Sequence, residues 1–197
     1  MDERRAHWEK VYEEKAPDSV SWFQERPASS LALIERAGGR RVIDVGGGAS
    51  TLVDHLIADH EVTVLDISEA ALERARARLG DRASEVRWVR ADATDPPLEG
   101  PFDVWHDRAV FHFLTVPADR ARYREALHRL LAPEGEAVVA TFALDGPERC
   151  SGLPVQRWSA EGLAAELGLV SVETLEEAHE TPAGKTQRFV FCRMRRG

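Results

Sequence analysis

Cysteine, methionine and tyrosine each occur only twice in this 197-residue chain, and each scarcity excludes something. Cys150 and Cys192 lie far apart and match no metal-ligand spacing, so neither a disulfide framework nor a cysteine metal site is expected. No apolar run reaches the roughly 18 residues of a membrane span. The opening residues Met1-Asp2-Glu3-Arg4-Arg5 are charged and lack the apolar core of a signal peptide, which makes a cytoplasmic location the expectation. Positive charge is also short. With 26 basic against 34 acidic residues the formal charge is -8, so no global field collects phosphate backbones, and nucleic acid is not an expected partner. The one dense basic cluster, Arg193, Arg195 and Arg196, is read as a solvated chain end.

Internal repeats and low-complexity linkers are missing too, and the length suits one domain with one sizeable core. A content of 43% hydrophobic and 30% charged residues is that of a globular protein. The chain is therefore taken as a single domain over 1–197, with an N-terminal portion to residue 38 and a core from 39 to 197.

What is there is an alternation. Arg41-Val42-Ile43-Asp44-Val45 is short, apolar and β-branched and stops at three glycines, as a buried strand ending in a tight turn does. Ser50 is placed to cap a helix running to Asp59, with Leu52, Val53, Leu56 and Ile57 as its apolar stripe. Strands follow at Val62–Asp66, Val86–Val89, Phe102–His106 and Glu136–Phe142, with helices at Ser68–Leu79 and about Ala118–Leu131 between them. This order implies an α/β fold, a doubly wound and mostly parallel sheet. After a helix near Ala160–Leu167, strands at Leu169–Leu175 and Gln187–Met194 are separated by a link too short for a comfortable crossover helix. A hairpin is expected, with the last strand antiparallel.

In such sheets a ligand sits beyond the strands' C-terminal ends, where the first loop meets the first helix. Gly46, Gly47 and Gly48 occupy that point and let a ligand approach main-chain amides closely. Asp66 comes 20 residues after Gly46 at the end of the second strand, where a carboxylate can accept from both ribose hydroxyls. A dinucleotide fingerprint needs Gly or Ala where this chain has Thr51, and neither Tyr12 nor Tyr123 is followed four residues on by Lys, since those positions are Ala16 and Leu127.

Asp44-x-Gly46-x-Gly48, Asp66 and Ala91-Asp92-Ala93 together resemble the class I S-adenosylmethionine-dependent methyltransferases, over roughly Arg41 to Arg195. The resemblance implies a Rossmann-like seven-stranded sheet with its last strand antiparallel. It also implies S-adenosylmethionine as cofactor, leaving as S-adenosylhomocysteine. Asp44, Gly46 and Gly48 would lie by its methionine part, Asp66 on the ribose, Ile67 on the adenine face, and Asp92 with Ala93 by the adenine amino group. A carboxylate suits an exocyclic amine as acceptor.

Before the first strand, Trp8 and Tyr12 share a helix face, and Trp22 follows. Aromatic faces attract cations, and a sulfonium is one. The arrangement is similar to the helical N-terminal cap of thiopurine methyltransferase and its bacterial small-molecule relatives, which implies that Trp8, Tyr12 and Trp22 contact the cofactor. Their other reading is as packing for a terminal helix.

Methyl transfer is an in-line displacement that needs alignment, dry surroundings and, for some nucleophiles, a base. The fourth strand ends at Trp105-His106-Asp107-Arg108, and Asp107 is the first candidate for base, orienting acceptor or cofactor contact, with His112 second. Asp107 and Arg108 as a structural ion pair is the competing reading, and His106 is assigned to strand packing. Arg108, Arg149 and Cys150 are candidates for substrate contact, the last two on a Gly- and Pro-punctuated loop from Thr141 to Pro154. No metal is required. The expected acceptor is a small molecule, with a thiol or other soft nucleophile as one guess. Protein lysine methylation is an alternative, and a cofactor-binding regulator or NAD-dependent oxidoreductase is more distant.

Overall fold

The computed structural model describes residues 2–197. Two helices, α1 (Asp2–Glu14) and α2 (Ala28–Ala37), precede β1 (Arg41–Val45), α3 (Leu52–Leu56), β2 (Glu61–Asp66), α4 (Glu69–Leu79), β3 (Arg87–Arg90) and β4 (Phe102–Arg108). Then come α5 (Pro117–Leu130), β5 (Leu131–Phe142), a small ribbon of β6 (Arg149–Cys150) and β7 (Leu153–Pro154), α6 (Ala160–Leu167), β8 (Val170–Glu180) and β9 (Thr186–Arg195). Among the described residues no helix is long and apolar enough to cross a membrane.

Seven strands form one sheet in the order β3-β2-β1-β4-β5-β9-β8. The first five pair in parallel, while β9 runs antiparallel between β5 and β8. The last strand is thus antiparallel, as expected, and it is inserted beside β5, leaving β8 on the edge.

Period-two alternation divides the core. Ile43 and Val45 of β1, Trp105 of β4, and Ala137 and Val139 of β5 face α5 and α6, packing with Leu127, Leu130, Leu163 and Leu167. Val42, Val104 and Val138 face the opposite side, against Leu33 and Ile34 of α2, Leu52 and Val53 of α3, and Leu72 of α4. Each such fully buried aliphatic side chain contributes about 1.5–3 kcal/mol. Caps fix the helix limits. Ser68 accepts from the Ala71 amide at 3.1 Å to start α4, and Ser159 from Gly162 at 3.1 Å to start α6. Gly80 and Gly168, at φ 57° and 65°, end them.

Several boundaries differ from the sequence expectation, among them the start of β5, at Leu131 and not Glu136. The helix placed at Ser50–Asp59 narrows to α3, because the Asp59 and His60 amides both turn back to the Leu56 carbonyl, feeding the chain into β2. The loop after β5 contains the β6–β7 ribbon. Strand β8 extends past Leu175 to Glu180, so the hairpin link is only 181–185. An edge strand facing water carries charge that a periodicity argument assigns to loop.

Candidate active site

The order of the sheet reverses at β1, which has β2 on one side and β4 on the other. A crevice opens there beyond the strand ends. Gly46 leaves β1 with φ 70°, and a Cβ at this position would lie 2.0 Å from Val110 Cγ2, so the loop runs close under the β4 exit only because the residue is glycine. A Cβ on Gly48 would stand 2.4 Å from Asp66 Oδ2, so the bare glycine lets that carboxylate lie beside the loop. Asp44 is turned to the α2 side, where Oδ1 is 2.7 Å from His106 Nδ1, while its Oδ2 is buried with no hydrogen-bond partner. His106 Nε2 is 2.9 Å from Ser30 Oγ, so this histidine is held at both ring nitrogens.

Asp66 is buried at the end of β2, and its Oδ1 accepts from the Ser68 amide at 2.9 Å. Burial, reinforced by the charge of Asp44, pushes its carboxyl up to about 7. Asp92 lies beyond β3, with Oδ1 accepting from the Thr94 amide at 2.9 Å and the Thr94 hydroxyl at 2.8 Å. Its Oδ2 pairs with Arg4 of α1 at 3.2 Å. Ile67 and Ala93 line the same crevice.

Aromatic side chains cover its mouth. Trp8 packs against Trp22 at 5.7 Å and Phe113 at 5.0 Å between ring centroids, and Tyr12 meets Trp22 at 6.1 Å. All four rings line the crevice, together with Arg108 and Cys150. The structure therefore brings Trp8, Tyr12, Trp22, Gly46, Asp66, Ile67, Asp92, Ala93, Arg108 and Cys150 to one place, with Asp44 and the Gly47 end of the loop in an adjoining recess.

Other candidates lie elsewhere. Asp107 is fully buried on the α5 side, because alternation along β4 sends it opposite to His106. Its carboxylate accepts from the Val110 amide at 2.8 Å, the Phe111 amide at 3.0 Å and the Tyr123 hydroxyl at 2.6 Å, all donors inside the fold. Burial outweighs those donors and raises it to about 6. Asp107 is not among the residues lining the crevice, and these bonds stand where the competing reading had an ion pair with Arg108. His112 also stays out of the crevice lining. It is fully buried between Phe113 and Phe142, at 4.5 and 4.7 Å, and burial lowers its pKa to about 3, far too low for a base at neutral pH. Arg149 is exposed and donates to the Gly152 carbonyl of its own ribbon, so it is removed from the acceptor wall. Cys150 is buried and its thiol is pushed up to about 11, which keeps it protonated.

Arg4, Val110, Phe113, Phe142, Gln187 and Phe189 also line the crevice and were not singled out from the sequence. Arg4 had a signal, since it lies four residues before Trp8 and so on the same helix face. Gln187 and Phe189 share one face of β9 by alternation, but which face that is depends on the strand's insertion beside β5.

An adenosine-bearing sulfonium fits these residues. The orphaned Asp44 Oδ2 offers an acceptor to a buried donor, the bare glycines let Asp44 and Asp66 lie against the loop, and aromatic faces suit a cation. Residues 42–135 match the family described as a methyltransferase domain. Among curated proteins, the chain is 28% identical over 187 residues to thiocyanate methyltransferase 1 of Arabidopsis thaliana, covering 90% of this chain and 79% of that protein. Among solved structures, it resembles an S-adenosylmethionine-dependent methyltransferase of Anabaena variabilis, with TM-score 0.80, 18% identity and coverage of 100% and 94%. It also resembles the 1,6-didemethyltoxoflavin N1-methyltransferase of Burkholderia thailandensis, solved with S-adenosylhomocysteine, with TM-score 0.70, 20% identity and coverage of 100% and 85%. On its sheet order and its family match, the chain is a class I S-adenosylmethionine-dependent methyltransferase.

Proposed function

We propose that this enzyme methylates a small acceptor with a thiol or comparably soft nucleophile, and that residues 2–38 act as a cap over the cofactor. The observation that carries this reading is the apolar end of the crevice beyond the glycine loop, a chamber walled by Phe113, Phe142, Phe189 and Cys150 under the lid of Trp8 and Trp22. Such a chamber excludes water and orients a compact nucleophile, which is most of what this displacement asks of a protein.

Bound S-adenosylmethionine supplies a methyl group already activated on a sulfonium. The chain's own residues do the holding. Asp66 accepts the ribose hydroxyls, Asp92 the adenine amino group, Asp44 a donor of the methionine part, and Ile67 packs on the adenine. At the apolar end of the chamber neither Cys150 nor His112 serves as a base, because Cys150 stays protonated and His112 is turned into the core, while Asp66, raised to about 7, is taken up with the ribose. An acceptor that is already a good nucleophile at neutral pH is therefore favoured over an alcohol or an amine. The name of the Arabidopsis relative, a thiocyanate methyltransferase, points the same way. A screen of thiols, carboxylic acids, amines and basic proteins with methyl-labelled cofactor tests the proposal. Label in small sulfur acceptors is expected, and label confined to protein would overturn it.

A further inference from the structure

The chamber contains a cation whose hydrogen bonds are incomplete. Arg108, the last residue of β4, lines the crevice with its side chain only 10% exposed. Nη1 donates to the Trp22 carbonyl at 3.0 Å, and the guanidinium lies over the Phe189 ring, 4.6 Å from its centroid. Nε and Nη2 are buried and have no hydrogen-bond partner. The nearby Glu177 carboxylate stands 3.8 Å from Nη2, beyond hydrogen-bond distance, and its two oxygens already accept from Gln24 at 3.0 Å and Ser29 at 2.5 Å. Cys150 supplies no thiolate, since its thiol stays protonated. A buried guanidinium with two nitrogens unmatched is costly unless an acceptor completes it. Burial lowers its pKa to about 10, with the Glu177 carboxylate working in the opposite direction. Gln187 adds an amide to the same wall, and its Oε1 is buried without a partner.

We propose that Arg108 is the anion-binding group of the acceptor chamber, so that the preferred methyl acceptor carries a negative charge set against the Nε and Nη2 face of its guanidinium. This rests on the small-acceptor reading and narrows it to a chemical class: thiolates, pseudohalides or thiols bearing a carboxylate, as opposed to neutral thiols. A planar fork of donors suits such groups, and the Phe189 face below it holds the fork in place. A protonated lysine side chain would be repelled from the same spot. Arg108 lies on the strand whose C-terminal end forms the crevice, so an anion held there stays within the chamber covered by Trp8 and Trp22.

The test uses the full chain saturated with S-adenosylhomocysteine, titrated calorimetrically with thiocyanate, 3-mercaptopropionate and, as the neutral counterpart, 3-mercaptopropionamide. Methyl transfer to each is measured in parallel with S-adenosylmethionine. At least one anion is expected to bind ten-fold or more tightly than the amide. That ratio should fall at least ten-fold in Arg108→Gln and partly recover in Arg108→Lys, which keeps the charge but not the fork. Should Arg108→Gln fail to fold, the anion-to-amide ratio of the unaltered protein and of Arg108→Lys carries the test. Equal use of the amide and the anions would overturn the anion site while leaving the small-acceptor reading intact. Binding of cofactor product without binding or methylation of any of the three would overturn both.

Discussion

Asp44 and His106 face each other as register partners across the parallel strands β1 and β4, with carboxylate oxygen and ring nitrogen 2.7 Å apart. In the tautomer that donates from Nδ1 to Asp44, Nε2 is free to accept the Ser30 hydroxyl 2.9 Å away on α2. Three buried polar side chains thus form one chain that ties a helix to the middle of the sheet and aims Asp44 at the glycine loop. His106→Leu leaves both Asp44 and Ser30 unmatched, so urea unfolding should show a loss of about 3–5 kcal/mol. Ser30→Ala removes one neutral bond and should lose about 1 kcal/mol. The double variant is expected to be less destabilised than the sum of the two. Strict additivity would show that the three side chains do not act as a network.

Asp66 makes stability and cofactor binding pull in opposite directions. Its folded pKa of about 7 is raised above the roughly 3.9 of an unfolded aspartate. Between those values the native state holds a proton that the unfolded state has released. The group's contribution is therefore fully present below about pH 4 and is lost as pH rises through 7. Asp107, raised to about 6, contributes in the same sense over a narrower window. Ligand-free Asp66→Asn should accordingly be more stable than the unaltered protein at pH 8 and nearly equal to it at pH 4, on the order of a few kcal/mol apart at the upper end. The same variant should bind S-adenosylhomocysteine at least ten-fold more weakly. A variant less stable at pH 8 would contradict the burial argument.

For Asp107 the prediction separates shaping from catalysis. Asn at this position offers one oxygen where the carboxylate offers two, so one of the Val110, Phe111 and Tyr123 donors is left unmatched. Asp107→Asn is expected to lose about 1–3 kcal/mol in chemical denaturation. The pH profile of kcat should keep its shape. A general base would instead show a loss of 10²–10⁴-fold and the disappearance of the acidic limb.

The case of Asp107 marks where sequence reasoning ends. Strands β1 and β2, the glycine turn and the positions of Asp66 and Asp92 are legible because parallel, doubly covered strands are written as apolar runs with their polar ligands at the ends. Which side a residue at the end of β4 faces is not written locally. It follows from strand register and from the helix packed on each face, and those place His106 beside α2 and Asp107 beside α5. Neighbouring Arg149 and Cys150 look alike in sequence for the same reason, although the two-residue strand β6 turns one to solvent and the other to the crevice. The charges that hid the end of β8 from a periodicity argument include Glu177, which stands beside Arg108.

Arg4 is a contact no motif announces. It bridges Asp92 at 3.2 Å and Asp119 of α5 at 2.6 Å, so α1 is fastened both to the crevice at Asp92 and to the start of α5. The arginine is 29% exposed, and partly exposed pairs of this kind contribute only about 0.2–1 kcal/mol each. Arg4→Ala should therefore shift the melting temperature by a few degrees at most. Cofactor affinity, read by calorimetry at low and high salt, should weaken several-fold at low salt and converge with the unaltered protein at high salt, where screening has already loosened the latch. Equal loss at both salt concentrations would point to a packing role for the α1 terminus.

Trp8 distinguishes a cap that touches the cofactor from a helix that merely packs. It is half-buried and sits at the centre of the aromatic group, edge-on to both Trp22 and Phe113. A ring that only covered the core would cost stability when removed and leave affinity untouched. One that faces a sulfonium contributes about 0.5–2 kcal/mol to holding it, or roughly two- to thirty-fold in affinity. Trp8→Ala should then weaken S-adenosylmethionine more than S-adenosylhomocysteine, because the thioether lacks the charge, while adenosine affinity changes least. This ordering of the three ligands, measured on a variant that melts cooperatively, is specific to a cation-facing ring. A uniform loss across all three would assign Trp8 to exclusion of water from the site, and unchanged affinities would assign it to packing alone.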